Sequence, residues 1–286
     1  MSLPPIDEPT RTAHWGWDEH RYFGHRVFEE LAGRESLAGL LALSILGRRL
    51  PPDCAALLDD IAGALTLADP RIWPLKLTRT IAAYGHVLPP VAAGILMEDE
   101  ARIGPWAGLE AAKVLMVVHE ALAGAHDDAE RVRQVVDAYL REHNFVWGFG
   151  TPFRQRDERL VAFLPCVERR GRNQLPYWKT MEAIIEPIRT ARKSEPNIGV
   201  AVAAVMLDMG LSPIQIGALN VGLMQHMFFA HALESAAAPG NVLRELPEAY
   251  VAYRGRRPRS SPRAQAAELA TLAPAGNLES DTRRVG

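Results

Sequence analysis

Period is the feature that most constrains what this chain can fold into. From Ser36 to Phe229 apolar residues recur at three- and four-residue spacing between Gly, Pro and capping signals. No segment alternates apolar and polar residues long enough to make a strand. Ser36 to Leu46 is apolar, ends at Gly47, and is followed by the turn Arg48-Arg49-Leu50-Pro51-Pro52. Asp53 stands where it can cap a helix carrying Leu57, Leu58, Ile61 and Leu65. Trp73 to Tyr84 ends at Gly85, and Val91 to Met97 and Leu109 to Leu122 follow. Asp127 with Glu130 reads as a capping box for a helix that ends near His143. After a turn at Gly148–Gly150 come Glu158 to Arg170 and Tyr177 to Arg192, the second burying Met181, Ile184, Ile185 and Ile188. Asn197 to Met209 has Gly210 placed as its C′ residue, and Ser212-Pro213-Ile214-Gln215 starts the next helix. The pattern predicts an all-α fold of about ten or more helices.

A chain of 286 residues, 48% of them hydrophobic, can bury a full core in one large domain or two interlocked ones. With a net charge of −2 it has no global field to draw in nucleic acid or an acidic membrane. Its two cysteines, Cys54 and Cys166, cannot build a disulfide framework and suit a reducing cytoplasm. Residues 1–17 lack a basic segment followed by an apolar one, so no secretory signal is expected. Ile198 to Ala230 is the most membrane-like stretch. Asp208, Gly210, Ser212 and Pro213 interrupt it before either half reaches the roughly 20 residues needed to span a bilayer, so it reads as two core helices. From Arg254 onward, arginines interleaved with Pro and Ser announce a loosely attached tail.

Chemistry-bearing motifs are scarce. Gly148-Phe149-Gly150 lacks the third glycine and the preceding strand of a dinucleotide fingerprint. His119-Glu120 with His126 lacks the one-turn histidine spacing of a zinc helix, and the cysteines have no ligand spacing, so no metal site is expected. There is no nucleophile elbow and no phosphate-cradling loop.

Several local signals nevertheless occur in one order. Tyr22-Phe23-Gly24 leads into a helix. Gly47-Arg48-Arg49-Leu50-Pro51 ends the next one, and Ala68-Asp69 and Ala82-Ala83-Tyr84-Gly85 come after it. Then come Trp147-Gly148-Phe149-Gly150-Thr151-Pro152, Asp157-Glu158-Arg159, Pro196-Asn197-Ile198, Ala230-His231-Ala232-Leu233-Glu234 and Tyr250 to Arg256. In this order and spacing, over about residues 20 to 258, the chain resembles the citrate synthase superfamily, and by its length the compact citryl-CoA lyase branch of it. The resemblance implies a two-domain helical fold closing over an acyl-CoA thioester and a keto-diacid, usually as a homodimer. It places a large domain at 20–105 and 212–258, a small domain at 106–211, an extension at 1–19 and a tail at 259–286. The face Ile216, Leu219, Leu223, Met227 is the expected dimer contact.

At the positions where that family keeps its catalytic aspartate and histidines, this chain has Gly199, Thr151, Pro70 and, near the remaining histidine, Pro105. Glycine and proline carry no acid or base, and threonine is a poor one at neutral pH. Ordinary citrate synthase activity is therefore not expected. The resemblance keeps the binding apparatus: Arg159, Arg256 and Arg71 toward carboxylates, and Trp147, Gly148, Phe149 and Gly150, with Arg154 and Arg156, toward coenzyme A. A guanidinium fork matches a carboxylate and never deprotonates, though each of these arginines also reads as a surface ion pair. His86 is a candidate replacement acid or base, with His119, His231 and Glu234 behind it; for each, a helix-packing role is the simpler reading. Two functions stay open: an acyl-CoA carbon–carbon bond-forming or -cleaving enzyme with a rebuilt site, or a non-catalytic CoA-binding or partner-binding paralogue. Neither involves a covalently bound cofactor.

Overall fold

Ten α-helices follow one another through residues 10–14, 16, 18–66, 68–100, 104–151, 156–238, 247–252, 254–255 and 261–266, the parts that the computed structural model describes. The chain forms two compact units, residues 1–243 and 244–286. All ten helices lie in the first: α1 Leu37–Leu46, α2 Pro52–Leu65, α3 Trp73–Ala82, α4 Leu88–Glu100, α5 Pro105–Leu122, α6 Ala129–Glu142, α7 Glu158–Arg169, α8 Pro176–Arg192, α9 Ile198–Asp208 and α10 Pro213–Ala237. The second unit shows, among its described residues, a short 3-10 turn at Glu248–Tyr250 and one further helical turn at 262–266.

Caps set the boundaries. Ser36 accepts from Gly39 N at the start of α1, and Gly47 closes the helix in the left-handed conformation. Asn197 caps α9, Gly210 follows that helix at positive φ, and Gln215 reaches back to the Ser212 N–H at the start of α10. Two of the expected caps are corrected. Asp128 rather than Asp127 caps α6, accepting from Glu130 N and Arg131 N. Asp53 does not cap α2, which starts at Pro52 with no side-chain cap. Its carboxylate instead accepts from Arg170 and Arg172 beyond α7.

Strand was not expected, yet a small antiparallel sheet forms near the start: β1 Ala13–His14, β2 Arg21–Tyr22 and β3 His25–Arg26. Strands of two residues are too short for alternation to register. The turn between β2 and β3, with Phe23 and Gly24 at positive φ, leads into a single π-type turn at Val27–Leu31.

The core gathers around α9 and α10. Residues 198 and 200–207 are all buried, so α9 is apolar all round because it has neighbours all round. It packs on α5 and α8, while α10 packs on α5, α3 and α4. Ile216, Leu219, Leu223 and Met227, the face expected to meet a second copy, are buried inside this same chain. That face is core, and it is not available to a partner. On α8, Met181, Ile184 and Ile188 are buried but Ile185 only half so. Among the described residues no single helix is long and apolar enough to cross a membrane; α9 and α10 together are, but they bend by 119° at their junction.

One close approach positions the site. A Cβ on Gly94 of α4 would meet Thr78 Oγ1 at 2.0 Å and Phe228 Cδ1 at 2.6 Å. Only glycine lets α4 sit this deep on α3 and α10. Glu98, four residues on, shares that face and is carried inward with it.

Candidate functional site

The turn 146–150 is tied down by backbone and side-chain hydrogen bonds. Phe149 N donates to Val146 O at 3.2 Å, Gly150 N to Glu195 O at 2.7 Å, and Asn197 N to Gly148 O at 2.9 Å. The Asn197 side chain completes the clamp: Nδ2 donates to Gly150 O at 2.8 Å while Oδ1 accepts from Gly199 N at 2.8 Å and so caps α9. Gly148 lies at φ 88°, and a Cβ there would stand 2.5 Å from Val200 Cβ. Glycine is required on both counts.

This clamp forms one wall of a cavity of about 220 Å³. Trp147, Gly148, Phe149, Gly150, Arg159 and Gly199, expected at one site by resemblance alone, all line it. The opposite walls come from α2, α3, α4, the start of α5 and α10, mainly through apolar groups such as Leu65, Leu75 and Met224. Phe149 is buried, and Trp147 is half-buried.

Arg159 is not a loose cation. Its Nε donates to Asp157 Oδ1 at 2.9 Å and its Nη2 to Oδ2 at 2.8 Å, with side-chain exposures of 21% and 2%. Asp157 also caps α7 at Arg159 N and accepts from Ile198 N at 2.9 Å. Burial alone would raise this carboxyl, but the Arg159 guanidinium and the two backbone N–H groups outweigh it and hold it below its usual range.

Two polar residues of the cavity gave no sign in the sequence analysis. Glu98 lines it at 5% exposure, and no described residue donates a hydrogen bond to its carboxyl. Burial pushes its pKa up from 4.5 to about 7. Asn220 of α10 lines it too at 3% exposure, and its Oδ1 has no hydrogen-bond partner. A Cβ on Gly104 would come within 2.9 Å of Glu98 Oε1, and one on Gly108 within 2.4 Å of Asn220 Nδ2. Thus two glycines near the start of α5 leave room for these two side chains. Glu98 was hidden in the acidic run Glu98-Asp99-Glu100, which reads as a solvated helix end. Its signal was Gly94, one turn earlier on the same face. Asn220 is one of three buried polar residues on α10, with His231 and Ser235, and of these it alone lines the cavity.

The other expected residues stand elsewhere. His86 is exposed in the turn between α3 and α4 and is not among the described residues lining the cavity. Arg71 binds Asp69 through Nε, at 3.0 Å from each carboxylate oxygen, and lies outside the lining, as do Pro70 and Thr151. Pro105 is buried at the first position of α5, beside the lining residue Gly104. Arg156 is exposed, within electrostatic reach of Glu195. Arg154 and Arg256 lie outside the described residues. His231 is a packing residue: its Nε2 donates to Ala68 O at 3.1 Å and its Nδ1 accepts from Arg79 Nη1 at 3.1 Å. Arg79 also pairs with Glu234 at 2.6 Å. His119 and His126 both bond Thr180 Oγ1, at 2.7 and 2.8 Å. Among the described residues no group of His, Cys, Asp and Glu could hold a metal ion.

No protein-family model matches the chain, and no curated protein does. Solved structures do. Citryl-CoA lyase from Hydrogenobacter thermophilus is similar with a TM-score of 0.75 at 19% identity, over 91% of this chain and 99% of that one. ATP citrate lyase from Methanothrix soehngenii, in complex with citrate and coenzyme A, gives 0.68 at 14% identity over 92% of this chain, which spans 43% of that longer one. Citrate synthase from Thermoplasma acidophilum, in its ternary complex with carboxymethyl coenzyme A and oxaloacetate, gives 0.54 at 14% identity, over 80% and 60% of the two chains. The fold is the all-α fold of citryl-CoA lyase and citrate synthase.

Proposed function

We propose that the cavity receives an acyl-CoA thioester and that the protein makes or breaks a carbon–carbon bond with an active site rebuilt from other residues. The observation that carries this reading is convergence. The 147–150 turn, Arg159 and Gly199 are separated along the chain, yet they border one cavity, in a fold whose solved representatives hold coenzyme A, citrate or carboxymethyl coenzyme A. Gly199, Thr151, Pro70 and Pro105 supply no strong acid or base, so any such chemistry falls to other groups. With the reading go the division into a large domain, 20–105 and 212–258, and a small one, 106–211, and assembly as a homodimer through a surface other than the buried face of α10.

A second reading is favoured by the state of Arg159. Its fork is already closed on Asp157, which suits a non-catalytic paralogue that binds CoA or a protein partner without turning a diacid over.

Calorimetric titration of CoA thioesters and small diacids into the wild type and Arg159→Ala tests both. Thioester binding weakened in the variant supports the site, since a charge-assisted hydrogen bond is worth about 1.5–3 kcal/mol. Binding that is unaffected places the ligand elsewhere. Thiol release from acetyl-CoA and oxaloacetate should stay at background; turnover of about 1–10³ s⁻¹ would mean that the family positions are misplaced here.

A further inference from the structure

We propose that Glu98 is the proton acceptor of this cavity and that the Asn220 amide holds the carbonyl oxygen of a bound thioester, the two together standing in for the acids and bases absent at positions 70, 105, 151 and 199. The inference rests on the acyl-CoA reading above and adds the residues that perform its first step.

Three observations carry it. Both side chains border the same cavity and are more than nine-tenths buried. Asn220 Oδ1 is buried without a hydrogen-bond partner among the described residues, and leaving a buried polar group unsatisfied costs about 1–3 kcal/mol. A cavity occupant that donates to this oxygen and offers a carbonyl acceptor to the Asn220 Nδ2–H would satisfy the amide, and its α-hydrogen would stand in the same space as the Glu98 carboxyl. Lastly, glycine at 94, 104 and 108 provides the space that α4 and these two side chains occupy. A packing role alone would be served more cheaply by apolar residues, because an unpaired buried carboxyl is costly.

The step balances without an oxidant or a second substrate. The Glu98 carboxylate takes the hydrogen from the α-carbon of the thioester as a proton. The electron pair of that C–H bond moves toward the carbonyl oxygen, forming an enolate, and Asn220 Nδ2–H donates a hydrogen bond to that oxygen. Return of a proton from Glu98 regenerates the thioester, so in heavy water the α-hydrogen is replaced by deuterium. A carboxyl that titrates near neutrality suits this work. Among the described residues nothing but burial contributes to the shift. Arg159 is the only other charged residue among the described lining. The charged groups of the elements packed on α4, namely Lys76 and Arg79 of α3, Glu110, Lys113, His119 and Glu120 of α5, and His226, His231 and Glu234 of α10, make no contribution to the shift.

The test uses the full chain with acetyl-CoA and propionyl-CoA as probes. Calorimetry reads binding, and mass spectrometry in deuterium oxide reads exchange at the α-carbon. Wild type should bind at least one thioester and exchange its α-hydrogen, with a rate rising through an inflection near pH 7. Glu98→Gln should keep its affinity within about threefold and lose exchange by about 10²–10⁴-fold, as loss of a general base does. Glu98→Asp should restore part of the rate with its own inflection, and Asn220→Leu should slow exchange with no change in that inflection. Binding without exchange, or exchange that persists in Glu98→Gln, overturns the inference and leaves the acyl-CoA reading standing. Failure of both thioesters to bind overturns that reading and the inference with it.

Discussion

The carboxylate of Asp157 accepts a hydrogen bond from the backbone N–H of Ile198, 2.9 Å away and forty-one residues later in the chain. Through it the start of α7 is joined to the start of α9, and Arg159 is held at the cavity by the same carboxylate.

Asp157→Asn should therefore cost more than a surface change. The loss expected is about 1.5–3 kcal/mol, the worth of hydrogen bonds to a charged group. Its pH dependence has a definite sign. The folded carboxyl lies below its ordinary 3.8, so its stabilisation is complete above that value and is lost as pH falls through the folded value. Denaturant midpoints of the two proteins, compared at pH 6 and again at about pH 3, should converge in acid. Equal gaps at both would rule out an ionised Asp157 as the cause.

Glu98 predicts the opposite slope. Its folded pKa is raised from 4.5 to about 7, so the folded state holds the proton more tightly than the unfolded one between those values. Stability should fall by about 3 kcal/mol as pH rises across that interval and level off above it. Glu98→Gln removes this decline, so at neutral pH the variant should be at least as stable as the wild type. Thermal denaturation from pH 4.5 to 8 checks it; parallel curves for the two proteins would show that Glu98 is ionised throughout.

Gly148 and Gly124 separate two costs of a side chain. Both have positive φ, 88° and 89°, but a Cβ at Gly124 meets nothing within 4 Å whereas at Gly148 it meets Val200 at 2.5 Å. Gly124→Ala should cost about 1–2 kcal/mol, the left-handed penalty alone. Gly148→Ala should cost clearly more and weaken any thioester binding, because α9 must shift to admit it. Similar losses in the two variants would contradict the close approach.

Asp53 distinguishes capping from bridging. Asp53→Ser keeps a residue able to cap, yet it removes the carboxylate that accepts from Arg170 at 3.0 Å and Arg172 at 2.9 Å. Serine and alanine at this position should be equally destabilising, by about 0.5–1 kcal/mol at low salt and less at high salt, since the pair is half exposed. A serine variant as stable as wild type would restore the capping role.

What could be read from sequence was what lives within one helix. Ser36, Gly47, Asn197, Gly210 and the Ser212–Gln215 pair mark their boundaries because a cap is a contact between near neighbours in the chain. Asp53 misled for the complementary reason: its partners are more than a hundred residues away, and a carboxylate near a helix start looks the same whichever use it has. The ordered resemblance singled out part of the cavity lining, the 147–150 turn, Arg159 and Gly199. It gave no sign of the two buried polar residues there. Glu98 and Asn220 owe their burial to glycines that matter only once α3, α4, α5 and α10 are packed, and no spacing within one helix announces that.

Asn197 has a consequence for motion. Its backbone N–H, its side-chain N–H and its side-chain oxygen are all engaged, on Gly148, Gly150 and Gly199 respectively. The loop is thus tied to the start of the helix, and their amides are expected to open to solvent exchange together. Widening of the cavity is therefore expected on the opposite side, in α4, which carries Glu98 and rests on its neighbours through the side-chainless surface at Gly94.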